Sequence, residues 1–221
     1  MIKAFIFDFD GLILDTEEAC YEAWQEIYAD YGTSLPLETW LLCIGTTNDA
    51  CDPLGTLAKL SGRDINYNAV QTAHSKSFRA KSRLLPLKPG VLDYLKWARA
   101  NGLQTAVASS SARDWVVPLL EENGILPYFD VIQTKNDVKT VKPNPELFIA
   151  TKSMLKLEDF EAVIFEDSYN GIIAGNLANL YTVAIPNSLT KNMDLSAASH
   201  TISSLDLITP PNLLKMLEKG V

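Results

Sequence analysis

The chain has little of what many function classes require. Only three of its 221 residues are cysteine and two are histidine. The cysteines (Cys20, Cys43, Cys51) are odd in number and lack metal-site spacing, so they are expected to be three small buried or half-buried thiols of a reducing cytosol. His74 and His200 are too far apart in sequence to suggest a shared metal. Positive charge is also short: Lys and Arg number 19 against 27 Asp and Glu, for a net charge of −8. That balance argues against a nucleic-acid or anionic-membrane surface. No apolar stretch approaches the roughly 20 residues that cross a bilayer. Asp8 and Asp10 interrupt the only apolar run near the start, so a signal peptide is not expected. Repeats, low-complexity tracts and charge blocks are missing as well. A cytoplasmic globular protein is the expectation, with one large domain or a core carrying a smaller one. Nothing fixes its oligomeric state, and a monomer is compatible.

What is present is a series of short apolar runs, each followed by a turn and a helical pattern. The strand candidates are Ala4–Phe7, Leu103–Ala108, Phe129–Gln133, Ala162–Phe165 and Thr182–Ile185. They are apolar on both faces, which fits a parallel sheet covered on each side by helices. Helix ends are legible between them. Pro89 is expected in a first turn, with Gly102 as the stop. Asn144-Pro145-Glu146 reads as an N-cap, an N1 proline and an acidic first turn. Asn179 suits a left-handed stop, and Pro118 predicts a kink or late start in the run from Arg113 to Asn123. Residues 16–84 break the alternation with successive helical patterns, the first apparently opened by an Asp15–Glu18 capping box. An insert there lies over the carboxyl ends of the strands, where open α/β sheets bind ligands. The fold expected is therefore α/β: a Rossmann-like doubly wound parallel sheet (1–15 and 85–221) with an inserted all-helical cap (16–84).

Four stretches carry chemistry. In "FIFDFDGLILDTEE", Asp8 and Asp10 stand at the end of the first strand. In "AVIFEDSYNG", a second strand runs into Glu166-Asp167. A single D-x-D also suits a solvated turn, but two converging acidic pairs repel unless a cation lies among them. Hard oxygen ligands with room for water suit Mg²⁺. In "TAVASSSAR", the Ser109 hydroxyl and the following N–H groups are placed to bind a phosphate oxygen, if this is more than a serine-rich loop. In "VKPNPELF", Pro143 biases Lys142 toward an extended conformation and Pro145 starts a helix just after, so its ammonium is held where it would neutralise a nucleophile and a phosphoryl group unless it is a plain surface lysine.

In this order and spacing the four stretches resemble the haloacid dehalogenase superfamily, mostly phosphatases, over nearly the whole chain. The insert is similar to the small helical cap of its β-phosphoglucomutase-like branch. The resemblance implies Asp8 as nucleophile, forming an aspartyl-phosphate, and Asp10 as the acid/base that serves leaving alcohol and incoming water. It implies Mg²⁺ on the Asp8 carboxylate, the Asp10 backbone carbonyl and the Asp167 carboxylate, with Glu166 close by. Ser109 and Lys142 would take the remaining phosphate oxygens, and Gly11, Ser110 and Thr16 complete the expected substrate-binding set. Thr16 and Glu17 otherwise read as helix-capping residues.

The mutases of that branch carry a histidine and an arginine where this chain has Cys20 and, near "IGTTND", Asn48. Their lack favours hydrolysis of a small phosphorylated metabolite, such as a sugar phosphate, over phosphosugar mutation. Asp10 argues against a true dehalogenase, which has no leaving group to protonate. A phosphonatase would need a cap lysine, with Lys76 the one candidate. The run His74, Lys76, Arg79, Lys81 and Arg83 reads as a solvated helix face. A reading from another class, a phospho-accepting receiver-like signalling module, lacks a place for Asp10 and for the helical insert.

Overall fold

A computed structural model describes residues 1–46 and 51–219. Six strands form one sheet: β1 (Ala4–Phe7), β2 (Gln104–Ala108), β3 (Val131–Gln133), β4 (Ala162–Glu166), β5 (Tyr181–Ala184) and β6 (His200–Thr201). Their order is β3-β2-β1-β4-β5-β6, and every pair is parallel. Chain order thus reverses on either side of β1, which leaves a crevice beyond its carboxyl end.

Alternation along the strands builds two cores. Phe5 and Phe7 point to one face, with Val107, Phe165, Tyr94 and Leu120. Ala4 and Ile6 point to the other, with Ala106, Ile164, Phe148 and Ala174. The first face is covered by α5 (Val91–Ala100), α6 (Arg113–Glu122) and α9 (Pro210–Lys219), the second by α7 (Glu146–Met154) and α8 (Tyr169–Leu177). Strands buried on both sides leave no polar face, which is why the sequence runs are continuously apolar.

Between β1 and α5 the described residues form four helices: α1 (Thr16–Asp30), α2 (Leu37–Leu41), α3 (Pro53–Ser61) and α4 (Tyr67–Ser82). They enclose their own cluster, centred on Trp24, Tyr28, Trp40, Leu57 and Val70. This is the all-helical insert expected on the parallel core.

Several local expectations need correction. Cys43 and Cys51 are not thiols; they are bonded to each other between α2 and α3, with their Cα atoms 5.5 Å apart, and Cys20 is free. Residue counting could not see that approach. Asp15 precedes α1 but makes no side-chain cap; its carboxylate lies 3.7 Å from Lys88 instead. Pro89 falls before α5, because Gly90 at φ 85° is the N-cap. Pro145 likewise caps α7 from outside, with Glu146 as the first helical residue. Pro118 lies inside α6, which starts at Arg113 and not late. Phe129 ends a 3₁₀ turn, so β3 begins only at Val131. The short β6 went unseen, since two residues carry no pattern. Gly102 and Asn179 do stop their helices, at φ 72° and 57°.

Candidate active site

Register brings the acidic residues together. Phe7 pairs with Val107 on one side and Phe165 on the other. Asp8, Ser109 and Glu166-Asp167 therefore leave the sheet at nearly the same height. Carboxylate oxygens of Asp8, Glu166 and Asp167 all lie within 4.8 Å of one another, and all three residues are buried.

Lys142 enters this cluster from the loop before α7. Its ammonium is buried and bonds both Asp8 and, at 2.6 Å, Glu166 Oε1. Glu166 is otherwise satisfied, since Oε2 accepts from the Ser168 N–H and hydroxyl at 3.1 and 2.9 Å. Burial alone would pull the Lys142 ammonium down, but Asp8 and Glu166 reverse this and hold it above the usual lysine range. Burial pushes the Asp8 carboxyl up to about 8, against the pull of Lys142. Asp167 is raised by burial and then by Glu166 and Asp8. Carboxylates bunched in a low dielectric resist ionising together. Three carboxylates and one ammonium leave two negative charges, which a divalent cation would cancel. Asp167 shows where: Asn187 Nδ2 donates to its Oδ2 at 2.7 Å, while its buried Oδ1 has no partner. Such an oxygen costs free energy unless something binds it, so the donor set fits a hard divalent ion.

The Asp10 side chain does not join this cluster. Its Oδ1 accepts from the Thr16 hydroxyl at 2.6 Å and the Trp115 indole N–H at 2.9 Å. Its Oδ2 accepts from the Ser111 hydroxyl at 2.6 Å, with Ser109 Oγ at 3.5 Å. Thr16 is thus a partner of Asp10 and not a helix cap. Ser109 Oγ also accepts from the Ser111 N–H at 3.0 Å. Ser110, expected to face a phosphate, turns its hydroxyl to the insert and donates to the Gly45 carbonyl at 3.1 Å.

A cavity of about 860 Å³ opens above Asp10, between the insert and the sheet. Glu17, His74, Phe78, Arg79, Trp115 and Lys135 are among its lining residues, with Asp52 and Asp114. Glu17 is lifted above the usual carboxylate range by burial and then by Asp10 and Asp8. The basic run of α4 is not uniformly solvated. His74 is buried, stacks on Trp24 at 4.0 Å and is lowered to about 4 by that burial. Arg79 lies over the Trp115 ring, and Lys81 pairs with Glu22 and Glu26. Lys76 is exposed. Asn48 lies outside the described residues.

Residues 5–185 match the haloacid dehalogenase-like hydrolase family. The chain belongs to that family. A Bacillus subtilis protein named "Putative phosphatase YhcW" is 40% identical to it over 93% of both chains. "Phosphorylated carbohydrates phosphatase" of Thermotoga maritima is 26% identical over 99% of both. A solved β-phosphoglucomutase from Clostridium difficile shares the fold, with a TM-score of 0.81, 22% identity and coverage of 99% of this chain and 98% of that one. This haloacid dehalogenase-like hydrolase is accordingly a phosphatase, with the parallel core and helical cap of the β-phosphoglucomutase-like branch.

Three residues of the hydrolase site escaped sequence reasoning: Ser111, Trp115 and Asn187. Ser111 lies in the serine run already singled out. Asn187 follows β5 at the same sheet edge, a signal that a search for polar residues past each strand would have caught. Trp115 carried none.

Proposed function

We propose that this chain is a magnesium-dependent phosphatase that hydrolyses a small phosphorylated metabolite, a sugar or polyol phosphate, through an aspartyl-phosphate. The observation that carries this reading is the separation of roles among the acids: carboxylate oxygens of Asp8, Glu166 and Asp167 gather within 4.8 Å of one another, with Asp167 Oδ1 unpartnered, while Asp10 is held apart by its own donors. In this reading residues 16–84 are the cap, and 1–15 with 85–221 the catalytic core.

Asp8 attacks phosphorus, and the bond from phosphorus to the alcohol oxygen breaks as Asp10 delivers a proton to that oxygen. Asp10 then takes a proton from water, which attacks the aspartyl-phosphate and releases inorganic phosphate. Lys142, held by Glu166, offsets charge on Asp8 and on the transferring group. Ser109 and Lys142 bind phosphate oxygens, and Gly11, Ser110 and Thr16 lie around the substrate. Held by the Asp8 and Asp167 carboxylates and the Asp10 carbonyl, Mg²⁺ would supply the positive charge that lets two anions approach.

The cavity supports a hydroxyl-rich leaving group. Its aromatic wall offers ring faces, and Glu17, Asp52 and Asp114 offer acceptors. Cys20 and not histidine stands on the first helix of the insert, which weighs against the mutase. Both the insert and the family match weigh against a signalling receiver. We place the activity in the cytoplasm, where charged metabolites are retained; the Cys43–Cys51 bond removes the thiol argument for that compartment.

Turnover of p-nitrophenyl phosphate tests the reading. We expect multiple turnovers that need Mg²⁺, lost by about 10³-fold in Asp8→Asn and by about 10²-fold or more in Asp10→Asn. Unchanged turnover in Asp8→Asn would overturn it.

A further inference from the structure

We propose that Asn187 is a positioning residue that limits Asp167 to one metal-binding oxygen and so selects Mg²⁺ over Ca²⁺. The inference rests on the magnesium reading above and adds to it a discrimination between two cations of equal charge.

Asn187 is the third residue past β5 and is buried. Its Oδ1 accepts from two backbone N–H groups of its own loop, Leu189 at 2.9 Å and Thr190 at 3.0 Å. Its main chain is held as well: the N–H donates to the Thr190 hydroxyl at 2.9 Å, and the carbonyl accepts from the Lys191 N–H at 3.1 Å. The side-chain amide therefore has one orientation. Turned over, its NH₂ would meet two N–H donors and its oxygen would meet a carboxylate. As it stands, Nδ2 donates to Asp167 Oδ2 at 2.7 Å and lies 3.5 Å from the Gly11 carbonyl. Gly11 makes room for this approach, since a Cβ there would stand 2.8 Å from Nδ2.

The two oxygens of Asp167 are thus unequal. Oδ2 has a donor that cannot turn away, and Oδ1 is buried with no partner. A cation at this cluster is offered Oδ1 alone. Mg²⁺ is small, keeps near-octahedral geometry and retains several waters, so a single oxygen from Asp167 serves it. Ca²⁺ is larger, takes six to eight oxygens and often both oxygens of one carboxylate. Here the second oxygen comes only when a buried, charge-assisted hydrogen bond breaks and leaves the amide without its acceptor. The neighbouring acids do not make up the shortfall. Lys142 bonds Asp8 Oδ1, and both Glu166 oxygens are engaged, by Lys142 and by Ser168.

Titration calorimetry of the whole chain with MgCl₂ and with CaCl₂ gives two dissociation constants, and their ratio is the readout. Asn187→Ala removes the donor. We expect its Mg²⁺ dissociation constant to rise about tenfold while that of Ca²⁺ does not rise, so the preference for Mg²⁺ falls about tenfold. Asn187→Asp keeps an acceptor for Leu189 and Thr190 but also lacks the donor, and it should shift the preference the same way. Thr190→Ala loosens the loop and leaves the amide on Asp167; it should lower the melting temperature and keep the wild-type ratio. A wild-type ratio in Asn187→Ala would overturn the proposal, and should that variant not fold, a wild-type ratio in Asn187→Asp does so. A shifted ratio in Thr190→Ala would overturn it too, because loop integrity and not the donor would then set the preference. So would a wild type that binds both ions equally well. A wild type that binds neither ion would fell the magnesium reading itself, and this inference with it.

Discussion

Gly11 faces the Asp167 carboxylate so closely that a Cβ at position 11 would stand 2.2 Å from Asp167 Oδ2. The residue also has φ +78°, where side chains are strained. Gly11→Ala should cost about 1–2 kcal/mol in backbone strain alone and displace the Asp167 carboxylate, whose Oδ1 is buried without a partner. Urea unfolding and Mg²⁺ titration calorimetry check both halves. Wild-type affinity for Mg²⁺ in this variant would show that the Asp167 position does not matter for the ion.

Lys142 is the only cation bonded to Asp8 and Glu166 among the described residues. Lys142→Met leaves two buried carboxylates without it and should lower stability by about 3–5 kcal/mol. Adding Glu166→Gln removes one of those charges, so part of the stability should return while activity does not. If the double variant unfolds no later in urea than the single one, the charge argument fails.

Asp167→Asn makes an opposite pair of predictions. Without metal the variant should melt no lower than wild type, because the neutral amide removes the cost of burying a charge and then the repulsion from Glu166 and Asp8. With Mg²⁺ at about 100 times its dissociation constant, wild type should gain about 2.7 kcal/mol of stability, and the variant far less. Melting curves with Mg²⁺ or with a chelator decide it; an equal Mg²⁺ gain in both proteins would remove Asp167 from the ion's ligands.

His74 should make the insert acid-sensitive. Its pKa falls from an ordinary 6.5 to about 4 in the folded chain. Between those values the unfolded chain binds the proton more readily, so stability is full above about pH 6.5 and declines as pH drops toward 4. The full contribution is about 3 kcal/mol. His74→Phe keeps a ring on Trp24 and should flatten the slope of melting temperature across that pH window. An unchanged slope would assign the acid sensitivity to other groups.

How legible the molecule was depended on whether the signal was local. The five longer strands announced themselves as apolar runs, and the acids at their ends could be named because a parallel sheet puts all such ends on one edge. Asp8 and Glu166 needed no more than that, whereas Lys142 was marked only by the prolines that follow it and by the family resemblance. Trp115 was illegible, because its meaning lies in contacts with Asp10 and with Phe78 on a different helix. Capping failed at Asp15 for a related reason: its carboxylate was drawn to Lys88, a residue distant in sequence. The pairing of Cys43 with Cys51 depends on an approach of their Cα atoms to 5.5 Å that spacing does not reveal.

By itself the sequence determined which residue types stand where a strand ends, since hydrophobic periodicity is a local property of the chain. Only the tertiary structure decided which of those residues share a charge. Burial put Asp8, Glu166 and Asp167 in one low-dielectric pocket, and distance kept the Asp10 side chain out of it. That division depends on separations of a few ångströms across the sheet, and Coulomb energy follows distance in space rather than position along the chain.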